Sequence, residues 1–276
     1  MEDADFEAFA AAVSGRDTDV DLFGAAMLIA SLGGPTDAHD CARQLDLIAE
    51  AVRAASDETA DPGVLAQAID HELFTVRGFH GNEGEYGDPA NSYLDEVLKR
   101  RTGLPITLSL VYMEVAERVG LRCEGVGFPG HVIVRCGEPE VPIYVDPFHQ
   151  GVRLDTEELL ARLRGQPLGG ASPESFLSAI TRRQFLQRML RNLHIVFRER
   201  RDLERWRDTV ELSLRLEPWN AALTGERGML NYRLGAFSAA LDDLDRYVRA
   251  SAPEMVSAGA RRLLEQLRTT HANEEE

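Results

Sequence analysis

The chain has 276 residues, 44% of them hydrophobic and 28% charged, which is typical of a soluble globular protein with one large domain or two modest ones. Its formal net charge of −16 gives a surface that repels nucleic acid and anionic lipid, so we expect neither as a partner. No apolar run reaches the roughly 18 residues that a membrane span needs, and the acidic N-terminus lacks the basic start of a secretory signal, which predicts a cytoplasmic location.

The cysteines and the short motifs exclude several kinds of site. Cys41, Cys123 and Cys136 have no metal-ligand spacing and leave one thiol over in any pairing, so we predict no disulfide framework. The sequence has no HExxH, CxxC or GxGxxG motif and no phosphate-binding loop, which leaves zinc hydrolase and nucleotide-binding functions without support. We therefore assign no metal and no other cofactor.

Residues 1–60 are predicted to form a helical N-terminal region. Phe6, Phe9 and Val13 recur at the spacing of one helix face. The Asp-Pro-Gly turn at residues 61–63 then begins a second domain, which we expect to extend over residues 61–164.

A central helix is predicted over residues 105–119. Gly103 suits the end of the preceding helix, and Pro105 suits the first turn of the next one. Apolar side chains cover every side of this segment, namely Ile106, Leu108, Leu110, Val111, Met113, Val115, Ala116 and Val119. Because a helix that is hydrophobic all round is buried, we expect this one to lie in the domain core.

Three short strands follow the central helix. Residues 123–128, 131–136 and 141–146 are β-branched and are bounded by Gly, Pro and Glu, which predicts a small antiparallel sheet. Residues 137–140 are expected to be a four-residue hairpin loop. A helix over residues 156–163 and a linker over 165–173 complete the domain.

Residues 175–268 are predicted to be all helical. Residues 206–218 and 240–253 share one layout at a spacing of about 34 residues, which indicates a helix-turn-helix repeat. The arginines of residues 182–207 are interleaved with acidic residues, and we interpret that stretch as a solvated helix face.

The sharpest chemical signal is the combination of His131 and Asp146. Counting outward from a four-residue loop places these two residues directly opposite one another on adjacent strands, where their side chains can share a hydrogen bond. A carboxylate in that position would orient the imidazole, as in nucleophilic triads. A pair with a purely structural role fits the same spacing.

The segments GLPITLSL at 103–110, PGH at 129–131 and DPF at 146–148 resemble the SirB-type transglutaminase-like family, whose members carry tetratricopeptide-like repeats at the C-terminus. The resemblance covers roughly residues 60–250. It implies an α+β, papain-like core with a buried central helix against the sheet. It also implies a catalytic cysteine at the start of that helix, paired with the equivalents of His131 and Asp146. The cysteine position falls at or beside Pro105, where this chain has no thiol.

Because the expected cysteine is absent, we consider two functions from different classes. The first is a non-catalytic, regulatory module that binds a protein or peptide in a cleft formed by Tyr86, Asn91, Pro105, Ile106, Phe128 and His149. The second is an amide or peptide hydrolase or acyl transferase, in which His131, oriented by Asp146, activates water or the hydroxyl of Thr107, a weak nucleophile candidate. A metal-binding variant with His131, Asp146 and His149 ranks third. The sequence does not indicate an oligomeric state.

Overall fold

The computed structural model describes residues 1–56, 61–138, 140–164, 166 and 168–274. The chain forms two compact units, one of residues 15–189 and one that combines residues 1–14 with residues 190–276. The expected domain boundary between residues 60 and 61 borders residues that lie outside the described ranges. Residues 165 and 167 of the expected linker also lie outside them. Within the described part of the chain, no helix combines the length and apolar character that crossing a membrane requires.

In the described residues of the unit 15–189, six complete helices accompany a small sheet. Four of these helices begin with an aspartate whose carboxylate accepts a hydrogen bond from a backbone N–H of the first turn, at Asp21, Asp37, Asp61 and Asp155. The helices are α2 (Leu22–Ala30), α3 (Ala38–Ala55), α4 (Pro62–Asp70), α5 (Leu94–Arg100), α6 (Pro105–Arg118) and α7 (Thr156–Leu163). A π-helical turn, His71–Val76, extends α4.

Helix α6 is the predicted central helix. Eleven of its 14 residues are buried, including polar Thr107 and Ser109, so it lies in the core as its apolar sequence predicts. It packs against α3, α4 and α5 and against two strands of the sheet. The buried central helix and the adjacent antiparallel sheet confirm the α+β fold class.

The main sheet contains four antiparallel strands in chain order: β3 (Cys123–Phe128), β4 (His131–Cys136), β5 (Ile143–Asp146) and β6 (Val152–Leu154). A second, two-residue parallel pairing joins β1 (His80–Gly81) to β2 (Thr102–Gly103). Val126, Phe128, Ile133, Tyr144 and Leu154 of the main sheet pack with Leu159 and Leu163 of α7.

The predicted register between β4 and β5 is wrong by two residues. Val134 pairs with Val145 and Cys136 pairs with Ile143, so the connection contains six residues instead of four. The predicted strand residue Val141 donates its N–H to Glu138 O in a turn, and Pro142 has no N–H to give to a ladder. Because a shift of two residues preserves the strand face, His131 and Asp146 still lie on the same side, as diagonal neighbours.

The prediction that the chain has no disulfide is also wrong, because Cys123 and Cys136 are disulfide-bonded. They are cross-strand partners on β3 and β4, with Cα atoms 4.2 Å apart. The two-residue turn Pro129–Gly130, in which Gly130 has φ = +70°, sets this pairing. Cysteine number and spacing along the chain carry no information about that register.

The other unit is entirely helical, as predicted for the C-terminal region. It contains α1 (Asp3–Ala12) and the helices α9 (Leu203–Leu216), α10 (Ala221–Arg233), α11 (Phe237–Ala250) and α12 (Ala258–Glu274), while α8 (Arg182–Arg200) spans the boundary between the units. Helices α9, α10 and α11 pack in sequence as antiparallel neighbours of a helical repeat do. Val210, Leu214 and Leu230 form one apolar cluster, and Leu244, Leu263 and Leu264 belong to the next.

The carboxyl of Asp70 gives the larger unit a pH-dependent stability. Burial raises its pKa to about 6, although Arg153 and the Tyr112 hydroxyl, which donate hydrogen bonds to it, act in the opposite direction. Since the pKa of an aspartate in an unfolded chain is about 3.9, the unfolded state loses its proton first as pH rises. Stability contributed by this group is therefore lost between about pH 4 and pH 6.

We expect Asp70→Asn to become progressively more stable relative to the wild type between pH 4 and pH 7, by roughly 2 to 3 kcal/mol in total. Urea denaturation at a series of pH values measures this difference. Asp46→Asn, which removes an exposed carboxylate bonded to Arg118, is the control. A difference between Asp70→Asn and wild type that stays constant over this range would contradict the assignment.

Candidate functional site

His131 and Asp146 are brought together by the ends of two adjacent strands. His131 is the first residue of β4, directly after the Pro129–Gly130 turn, and Asp146 is the last residue of β5. The imidazole Nε2 lies 2.9 Å from Asp146 Oδ2, which is hydrogen-bond distance. The carboxylate side chain is only 2% exposed, whereas the imidazole is 23% exposed, so solvent reaches the histidine and not its partner.

The carboxylate of Asp146 has a hydrogen-bond partner on every side. Oδ1 accepts the backbone N–H groups of Phe148 and His149, at 3.1 and 3.3 Å. Oδ2 faces His131 and also His149 Nδ1, which is 2.8 Å away. Burial raises the pKa of this carboxyl, but the hydrogen bonds and charges of the two imidazoles outweigh that effect and hold the pKa below its ordinary value. Asp146 is therefore a fixed anion.

Aromatic rings surround the pair. Phe148 meets His131 edge to face, with ring centroids 5.9 Å apart, and it meets His149 in the same way at 5.1 Å. Half-exposed Tyr86 also meets Phe148 edge to face, with ring centroids 6.4 Å apart. Next to these rings lies a cavity of about 600 Å³, lined by His80, Gly81, Asn82, Glu83, Gly84, Phe148, His149 and Gln150.

Strand β1 connects this turn to the start of helix α6. Gly81 N–H donates to Phe148 O, and Asn82 N–H donates to Gly103 O, two residues before Pro105. A Cβ on Gly81 would lie 2.5 Å from the Phe148 ring, so only glycine lets the strand approach this closely. The site is therefore built from β1, the ends of β4 and β5, and the segment that leads into α6.

Four of the expected cleft residues are buried. Asn91 is fully buried; its side chain donates to Glu85 O at 2.8 Å and accepts from Asn82 Nδ2 at 3.0 Å, which orders the loop beside the cavity. Phe128 lies in the apolar cluster under the sheet, and Pro105 and Ile106 are buried at the start of α6. Of the six expected cleft residues, Tyr86 and His149 are the ones with substantial exposure.

The hydroxyl of Thr107 is used by the backbone around the start of α6. It donates to Asn91 O at 2.7 Å and accepts the Leu104 N–H at 3.0 Å. The side chain is completely buried. These contacts are those of a residue that closes the first turn of a helix.

None of the three cysteines of the chain lies at the start of α6. Cys123 and Cys136 are joined to each other, and Cys41 is buried in α3. Burial raises the pKa of the Cys41 thiol to about 11, with a further contribution from Asp95. Because the thiolate is the reactive form of cysteine, none of these residues has the properties of a catalytic nucleophile.

The metal-binding variant predicted from the sequence groups His149 with His131 and Asp146, and the structure brings His149 Nδ1 to Asp146 Oδ2 in the tight turn after β5. One contributor to the site was missed. Arg188 of α8 donates to Phe128 O at 3.1 Å and to His131 O at 3.4 Å, so it supports the turn before the histidine. This arginine belongs to the stretch that we had interpreted as a solvated face, and nothing in the local sequence indicates a contact across about 60 residues.

Comparisons with known proteins agree with this architecture. A family model for the transglutaminase-like superfamily matches residues 39–191, which is more than half of the chain. The chain belongs to the transglutaminase-like superfamily. A model for tetratricopeptide repeats matches residues 190–268, and together the two matches confirm the resemblance inferred from the sequence.

Relatives of this superfamily member occur in bacteria and in animals. A UPF0162 protein of Xylella fastidiosa strain Temecula1 is 40% identical over 187 residues, which are 66% of this chain and 66% of the relative. UPF0162 protein YchA of Escherichia coli is 28% identical over 65% of this chain and 67% of its own length. F-box only protein 21 of Homo sapiens is 31% identical over 61% of this chain but only 28% of its own length. No solved structure matches.

The structural role of Thr107 can be tested by Thr107→Val, which keeps the shape of the side chain and removes the hydroxyl. Because the Leu104 N–H and the Asn91 carbonyl then lose a buried partner, we expect unfolding free energy to fall by about 1 to 3 kcal/mol. Chemical denaturation measures this value. Thr102→Val is the matched control, since its hydroxyl bonds the nearby Arg100 carbonyl in a partly exposed position. Equal stability of Thr107→Val and wild type would contradict this role.

Proposed function

We propose that the cleft beside His131 and Asp146 is a non-catalytic binding site for a protein or peptide, in a regulatory chain whose helical repeats add a further binding surface. The observation that carries the proposal is the mismatch between a well-formed His–Asp pair and a helix start without a thiol. Buried Pro105 and Ile106 occupy the beginning of α6, and all three cysteines lie elsewhere. A pair that has no nucleophile to activate still offers a polar anchor for a ligand.

The aromatic rings at the surface support recognition of a polypeptide. Tyr86, Phe148 and His149 form a connected group beside the cavity of about 600 Å³. Exposed tyrosine and other aromatic side chains dominate many protein-binding hot spots, because they bury a large area with little loss of side-chain entropy.

The repeat region supports the same class of function. Stacked helical repeats form extended surfaces that commonly bind other proteins. Trp219, in the turn before α10, is 78% exposed, and it lines a separate cavity of about 370 Å³ together with Arg215 and Arg246. We expect a partner to use one or both of these surfaces, so the experiment must separate them.

Peptides selected from a random phage-displayed library against the full chain provide a defined probe. We expect Tyr86→Ala to weaken the selected peptides by about tenfold, which corresponds to the roughly 1.4 kcal/mol typical of a moderate hot spot. Fluorescence anisotropy measures the dissociation constants. Trp219→Ala is the matched control, because it removes an exposed aromatic ring from the repeats. Peptides that respond to Trp219→Ala and ignore Tyr86→Ala would contradict the cleft as the binding site.

The alternative function is amide or peptide hydrolysis, and the 2.9 Å contact between His131 Nε2 and Asp146 Oδ2 is the observation that favours it. Asp146 would orient the ring, leaving Nδ1 to act as a general base. Water is the better nucleophile in that mechanism, since the Thr107 hydroxyl is buried and bonded to the backbone.

Under the binding proposal, purified wild-type chain and His131→Ala should be equally inactive towards peptide, aryl-amide and ester substrates. Release of product measured by mass spectrometry and absorbance tests this expectation. Turnover by wild type that disappears in His131→Ala would overturn the non-catalytic assignment and establish the alternative. Circular dichroism of the variant controls for loss of folding.

A further inference from the structure

Three metal-ligand side chains converge at the turn after β5. His131 Nε2, Asp146 Oδ2 and His149 Nδ1 all lie within 4.8 Å of one another. Within the part of the chain that the structure describes, no other group of three or more His, Cys, Asp or Glu residues has its ligand atoms close enough to hold one ion. We propose that these residues form a binding site for a divalent transition-metal ion, with Zn²⁺ as the reference ion.

The donor set determines the class of metal. Two imidazole nitrogens and one carboxylate oxygen suit Zn²⁺, Fe²⁺ and related ions, whereas Mg²⁺ and Ca²⁺ prefer sites made of oxygen alone. Two neutral imidazoles and one carboxylate contribute a single negative charge, and the net charge of −16 raises the local concentration of cations. The site therefore favours a dication chemically as well as electrostatically.

An ion at this site requires the three donor atoms to shift. With metal–ligand distances of about 2.0 to 2.1 Å, the donor atoms of a tetrahedral site lie about 3.3 Å apart. The two nitrogen–oxygen separations are 2.9 and 2.8 Å, so each has to open by about half an ångström. The two ring nitrogens lie within 4.8 Å of one another, and they too have to stand about 3.3 Å apart. His149, which is 51% exposed, is free to make most of that movement.

The carboxylate is already held in the orientation that a single-oxygen ligand requires. Asp146 Oδ1 is occupied by the N–H groups of Phe148 and His149, which leaves Oδ2 as the oxygen that faces the imidazoles. The turn itself is fixed by Gly151 N–H, which donates to Asp146 O at 2.9 Å. Hydrogen bonds of this kind around the ligands orient them and increase metal affinity.

Metal binding requires a change of tautomer in each of the two imidazoles. Each imidazole presents the lone pair of the nitrogen that now faces Asp146 and keeps its proton on the opposite nitrogen. His131 would bind through Nε2 and His149 through Nδ1. The exposed side of the site leaves at least one coordination position for water or for a carboxylate or carbonyl of a bound peptide.

This site goes beyond the proposed binding function, which requires no metal. It also excludes the alternative in its simple form, because Asp146 cannot orient His131 through a hydrogen bond to Nε2 when that nitrogen binds a metal ion. A metal measurement on the chain without peptide is therefore independent of the peptide experiments, and either result can fail while the other stands.

Isothermal titration of Zn²⁺ into the untagged, chelator-treated full chain, with its disulfide intact, tests the site. We expect one ion per chain, and a dissociation constant that rises by about 100-fold in His149→Ala. His149 is half exposed at a turn, so its removal should preserve the fold, which circular dichroism verifies. His80→Ala is the matched control, since His80 lines the neighbouring cavity and bonds Gly78 O and Thr102 instead of Asp146.

Absence of one-to-one binding in the wild type would overturn the proposal. Equal affinity of His149→Ala and wild type would overturn it too, as would an equal loss in His80→Ala, because both results place the ion elsewhere. Absorption of the Co²⁺-loaded chain gives a second readout, in which a tetrahedral spectrum without thiolate charge transfer supports nitrogen and oxygen ligands. A thiolate band would assign the metal to cysteine and contradict the site.

Discussion

Burying the Asp146 carboxylate costs free energy unless hydrogen bonds replace the water that it loses. Two backbone amides and two imidazoles provide that replacement, and they come from the turn after β5 and from the adjacent strand β4. The same contacts fix His149, position Phe148 against Gly81 and so connect the sheet to the segment before α6. One buried anion thus organises most of the candidate site.

Much of the fold follows from sequence because it depends on local patterns. The all-round apolar character of residues 105–119 predicts the buried helix, which ends one residue earlier, and the β-branched segments predict β3 and β4 at their observed bounds. The pairing of β4 with β5 was less accessible, since it depends on a loop in which an exposed Val141 resembles a strand residue. The face shared by His131 and Asp146 was nevertheless correct, because the error of two residues equals one strand period.

The contacts that sequence did not provide are those between distant segments. Arg188 reaches the carbonyls of the turn before His131, and Gly81 lies against Phe148, although each pair is separated by about 60 residues or more. The disulfide was partly accessible, because counting outward from the Pro129–Gly130 turn pairs Cys123 with Cys136. The number of cysteines alone does not reveal this pairing, because it takes no account of the register between β3 and β4.

The environment of Asp146 also limits what His131 can do. A single carboxylate oxygen faces two imidazoles, so it cannot act as the dedicated partner of one histidine, as in a nucleophilic triad. The two imidazoles place two nitrogen donors within 4.8 Å of one another and of the Asp146 oxygen, at the turn after β5. The proposed ligand site and the proposed ion site both depend on this arrangement.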